Sequence, residues 1–209
     1  GSDAARSGRV IVLYGDGAMG GVINIITQRA TEDGVKVNAE AEGGSHGTLN
    51  GGASVIGKSG AIDYRITGTG YRQDGPSLAD PRTASPAGSV TEDDEYWRYG
   101  VSGRVGLQAT NNLSLQAIGF WQDSFTDLDN NTSDSSDTVK KKEYAFAGQA
   151  AYKSDDDRFK ADLTGSRYVA RRLYFGTFNA ADGDLFRGTR DNIAINFSAR
   201  DLGPLSLAV

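Results

Sequence analysis

Alternation with a period of two runs through this chain from Val35 to its last residues, and no other feature limits its possible folds so strongly. Successive side chains of a strand point to opposite faces, so such a period means that each strand meets two different environments. Trp97, Tyr99, Val101, Gly103, Val105 and Leu107 alternate with Arg98, Gly100, Ser102, Arg104, Gly106 and Gln108. The first set is apolar; the second is polar or very small. The same split recurs in Ile62, Tyr64 and Ile66 against Asp63, Arg65 and Thr67, and in Phe159, Ala161 and Leu163 against Lys160, Asp162 and Thr164. It returns in Ile193, Ile195 and Phe197 against Asn192, Asn196 and Ser198. Eight strands are predicted, over 35–43, 49–57, 61–72, 96–108, 113–125, 143–154, 158–175 and 190–202, with a ninth starting at Leu205. Helices are nearly absent from this prediction, because the 28 glycines are dense and apolar positions do not recur at three-and-four spacing.

The connections narrow the choice. Short links at 58–60, 109–112, 154–157 and 203–204 alternate with long ones at 73–95, 126–142 and 176–189. An up-and-down meander collects its short links at one end and its long ones at the other, the plan of outer-membrane barrels with short periplasmic turns and long extracellular loops. The link at 44–48 belongs to the long end but is short. The strands have the length of a tilted membrane crossing, about 9 to 11 residues, and not the 5 or 6 usual in soluble sheets. Trp97, Tyr99, Trp121, Tyr144 and Phe146 share the parity of the apolar face and adjoin the long links, where an interfacial aromatic girdle would sit. The expected fold is therefore all-β: a transmembrane antiparallel up-and-down β-barrel over 31–209, in the outer membrane and incomplete at nine strands. A soluble β-rich module with these rings in a dry core is the competing arrangement.

Before the barrel stands "LYGDGAMGGVINIIT", Leu13 to Thr27. Gly15, Gly17, Gly20 and Gly21 permit positive φ and close backbone approach, and Val22-Ile23-Asn24-Ile25-Ile26 is too continuously apolar for a half-exposed strand. The string resembles the end of the plug domain of TonB-dependent outer-membrane receptors, whose signature there is close to LYGSGAxGGVINIIT. Leu13, Tyr14, Gly15, Gly17, Ala18, Gly20, Gly21, Asn24 and Thr27 carry the match. The resemblance implies that residues 1–30 close a plug domain, that the barrel it fills has twenty-two strands, and that a segment outside this chain engages the TonB energy-transducing protein. It implies active uptake of a scarce nutrient complex by a monomer embedded in outer-membrane lipid. Glu40, Glu42, Arg65, Arg104, Gln116 and Asp162 would then line the inside of the wall.

Composition removes other chemistries. With no Cys and a single His, His46, thiolate sites, Cys nucleophiles and His-based triads are excluded, and no constellation of residues points to an enzyme. The net charge of −5 gives no reason to expect nucleic acid as a partner. No apolar stretch approaches the 18 residues of a membrane helix, and the start has no signal-peptide pattern. Lacking an initiator Met and stopping inside an alternating run, the chain reads as an interior piece of something longer. Expressed alone in water, it is expected to aggregate or to stay partly disordered.

The nutrient is read from the long links. Acidic residues dominate 73–95 and 126–139, and a mouth so charged does not steer an anionic ferric siderophore inward. Asp127, Asp129, Asn131 and Asp134 supply closely spaced hard oxygens, the donors calcium prefers, without the Gly and closing Glu of an EF-hand loop. The short first loop, this Asp-rich loop and the aromatic strand ends are similar to the cobalamin-transporter branch, in which calcium orders the ligand-holding loops. Cobalamin is thus the first expectation, with a ferric siderophore or haem as alternatives and a non-transporting adhesin barrel after them. His46 in a turn does not argue for haem.

Overall fold

The computed structural model describes residues 30–77, 93–130, 133–176, 183–202 and 205–208. The plug string falls outside them. Nine strands follow one another: β1 (Gly34–Gly43), β2 (Leu49–Ser59), β3 (Ile62–Pro76), β4 (Asp93–Gln108), β5 (Leu113–Asn130), β6 (Ser133–Lys153), β7 (Phe159–Phe175), β8 (Asp184–Leu202) and β9 (Leu205–Ala208). They form one sheet in sequence order, every neighbouring pair antiparallel, and no helix occurs among the described residues. The up-and-down order needs no crossover, since each strand returns beside its predecessor.

The turns at one end are held by local hydrogen bonds. The Ser154 N–H donates to the Phe159 carbonyl at 2.9 Å, and the Phe159 N–H donates back to Ser154 Oγ at 2.9 Å. Asp157 takes positive φ there (61°), a position that Asp tolerates better than most residues. The Asn112 side-chain amide bridges this turn to its neighbour, donating to the Lys153 carbonyl at 2.9 Å and to Asp155 Oδ1 at 2.6 Å. The chain enters the sheet at the same end, where the Gly60 N–H donates to Asp33 Oδ1 at 3.0 Å and Lys58 Nζ to the Thr31 carbonyl at 3.1 Å.

At the opposite end the structure departs from expectation. Residues 126–142 are not a long loop, since β5 continues to Asn130 and β6 begins at Ser133. The added length still pairs, with Thr126 opposite Val139 and Asp127 opposite Thr138, although Asp and Asn are disfavoured in strands; each segment completes its backbone ladder against the other. Likewise β8 begins at Asp184 and not near residue 190. The strands therefore run 15 to 21 residues from β3 to β8, and most of their extra length lies at this end. The link at 44–48 is a tight turn as expected, with His46 (φ 56°) and Gly47 (φ 64°) in the left-handed region.

Among the described residues the sheet encloses no apolar core. Among the described residues only Val169 and Ala199 are buried apolar side chains, while 23 large apolar ones are exposed. Cross-strand partners share a face, so the register assigns every side chain to one side. All of the 23 except Ile118, Phe120 and Phe186 lie on the same face.

Candidate functional site

Two faces of opposite character follow from the alternation. The six residues expected to line a wall, Glu40, Glu42, Arg65, Arg104, Gln116 and Asp162, all fall on the polar face. Three of them join a chain of hydrogen bonds across five strands. Asp63 on β3 accepts from the Arg104 guanidinium on β4, and Arg104 Nε donates to Gln116 Oε1 on β5 at 3.0 Å. Gln116 Nε2 then donates to Gln149 Oε1 on β6 at 2.9 Å, and Gln149 Nε2 to Asp162 Oδ1 on β7 at 3.5 Å. Arg104 is only 5% exposed although it lies on an open sheet, so its neighbours cover it nearly completely. The ladder floors a cleft of about 830 Å3 near the short-turn end, which Ala30 and Thr31 also line.

Glu40 and Glu42 stay outside this network on the exposed edge strand β1. Arg65 makes a separate contact, Nε to Thr67 Oγ1 at 3.2 Å. Asp63 and Gln149 escaped the sequence reading. Parity alone placed Asp63 on the right face, but Gln149 stands among Ala145, Ala147 and Ala151 with nothing to single it out. Further toward the long end, Glu143 accepts from the Tyr168 hydroxyl, from Gln122 Nε2 at 3.3 Å and from Lys141 at 2.9 Å.

The apolar face carries its aromatic rings at two levels. Trp97 stacks on Phe125 at 5.9 Å and lies 5.2 Å from Tyr99 toward the long end, and Phe159 stacks on Phe197 at 6.4 Å near the short turns. The second level was absent from the sequence reading. Tyr144 and Tyr152 mark both levels on β6, eight residues apart, a separation of about 26 Å along the strand.

The polar edge of this apolar band runs obliquely across the register. Arg72 bounds it on β3, whereas on β8 it is bounded by Asp191, which traces through Arg167, Phe146, Gly119 and Gly103 to Ile66. Ile66 stands six residues before Arg72, so the edge slides by about one residue per strand.

The candidate calcium residues are divided. Asp127 Oδ2 accepts from the Glu95 N–H at 3.0 Å and Asp129 Oδ2 from Ser77 Oγ at 2.6 Å, which ties β5 to β4 and to the residue that follows β3. Asn131 and the Asp134 side chain lie outside the described residues. Among the described residues no three His, Asp or Glu side chains converge as metal ligands, and these two carboxylates form only part of a calcium donor set. No protein-family model matches the chain, and no curated protein matches it.

Proposed function

We propose that this chain is part of the wall of an outer-membrane β-barrel transporter of the TonB-dependent type, which admits a scarce nutrient complex along its polar face. The oblique apolar band is the observation that carries the reading. A band parallel to the bilayer crosses tilted strands at a slant, and six residues over five strand steps corresponds to a tilt of roughly 40°. Membrane barrels tilt their strands by about 35–45°. At that tilt the two aromatic levels are about 20 Å apart along the membrane normal, comparable with the roughly 25 Å band between aromatic girdles. A soluble sandwich gives its apolar face no reason to slide with strand number.

The plug part of the reading rests on the resemblance of Leu13 to Thr27, and it is supported by the entry of the chain at the short-turn end beside the polar cleft. Cobalamin is the first nutrient proposed, with a ferric siderophore or haem as alternatives. Calcium enters as the ion that Asp127, Asp129, Asn131 and Asp134 would share. Titration calorimetry of the whole receptor in detergent, with calcium and then with chelator, tests both. Tight cobalamin binding that weakens on chelation supports the nutrient and the ion together. Absence of binding in both conditions moves iron complexes forward and leaves Asp127 and Asp129 as braces between strands.

A further inference from the structure

Beyond the band edge on the apolar face, Lys142 on β6, Arg171 on β7 and Arg187 on β8 occupy one row of the register, each directly opposite the next. All three are exposed. Directly opposed side chains bring their Cβ atoms to about 4.5–5.5 Å, and like charges so placed repel. Among the described residues Lys142 has one counter-charge, Asp123 Oδ2 at 3.3 Å. Among the described residues neither Arg171 nor Arg187 forms an ion pair with a carboxylate. The same two strands place a carboxylate opposite an arginine at another level, where Arg167 and Asp191 meet as a two-pronged pair at 2.6 and 2.8 Å. Lys140 adds a further cation beside the row, its Nζ 6.0 Å from the Phe125 ring and 5.9 Å from the Phe175 ring.

We propose that the Lys142–Arg171–Arg187 row binds the phosphate of a phosphorylated lipid headgroup. The inference rests on the membrane-barrel reading above and goes beyond it, since it concerns the outer face of the wall and not the transport path. A phosphate placed among three mutually repelling cations relieves their repulsion, and guanidinium groups match its oxygens in paired hydrogen bonds. The position of the row selects a lipid over a free anion. Below it on the same face lie Tyr144, Phe146, Leu163 and Ile193, against which acyl chains pack while the headgroup reaches the cations.

The test uses the whole receptor, of which this chain is proposed to be part, in nanodiscs of phosphatidylcholine doped with bisphosphorylated lipid A or with its dephosphorylated form. Lipid retained after mild detergent extraction is counted by mass spectrometry. The bisphosphorylated form is expected to be enriched, and Arg171→Gln with Arg187→Gln to lower that enrichment about tenfold or more. Arg172→Gln with Arg190→Gln removes the same charge from the same strands on the opposite face and is expected to change it by less than about twofold. Equal loss in both double variants, or loss in neither, overturns the proposal. Complete displacement by inorganic phosphate overturns it too, by assigning the row to a free anion. Insertion is scored separately by alkaline wash of vesicles: a whole receptor that never enters the bilayer sinks the barrel reading along with this one, whereas one that inserts without a phosphate preference sinks this one alone.

Discussion

Arg104 illustrates how a single residue is held in this sheet. Its guanidinium is almost fully covered, faces Asp63 and passes a hydrogen bond on to Gln116, so its removal strands a carboxylate and an amide oxygen. Arg104→Ala is expected to cost about 2–3 kcal/mol, read as a shifted urea midpoint in detergent, with Arg104→Lys recovering part of the loss. Gly47 is constrained differently. Its φ is +64°, a backbone conformation that an L side chain adopts only with strain, so Gly47→Ala is expected to destabilise the 44–48 turn by about 1–2 kcal/mol on the same readout. In the 154–157 turn, hydrogen bonds from Ser154 Oγ and the Arg158 N–H hold the Asp156 carboxyl below its ordinary value, and Lys153 and Lys160 do the same for Asp157. Depressed carboxyl values stabilise the folded turn above the unfolded value of about 3.9, and the contribution is lost as pH falls through the folded values. Carboxyl titration by NMR should place both midpoints below that value, and amide exchange at Phe159 should quicken as they protonate.

At the scale of one strand, β4 offers a direct comparison between faces. Val101 is 51% exposed at the middle of the apolar band, and Ser102 beside it points to the polar face. If the band meets lipid, Val101→Arg costs about 2–4 kcal/mol of folding free energy in vesicles while Ser102→Arg costs far less. Equal effects of the two substitutions would count against a lipid-facing side. The alternation made both faces of β4 legible in the sequence, because parity is local to the strand. The far ends of β5 and β6 were less legible. Asp127 to Asn130 and Ser133 to Asp137 carry the composition of a loop, and their pairing depends on having each other as neighbours.

For the molecule as a whole, a sheet with one apolar face, one polar face and open edges at β1 and β9 leaves its apolar surface exposed to water. The isolated chain is expected to aggregate without detergent and to become monodisperse with it, which light scattering across the critical micelle concentration checks. A cooperatively melting monomer in plain buffer would overturn that expectation. The sequence by itself determined the all-β class, the strand order, the assignment of Arg104, Gln116 and Asp162 to one face and of Trp97, Tyr99, Trp121, Tyr144 and Phe146 to the other, while the long link from which the last three were placed at strand ends is paired strand in the structure. Each of these depends on residues close together in the chain, through side-chain parity and turn composition. Only the tertiary structure decided the Asp63-to-Asp162 ladder, the slant of the apolar band and the meeting of Lys142, Arg171 and Arg187. Those features belong to the register between strands, and a shift of one residue in any pairing would move every side chain of that strand to the other face.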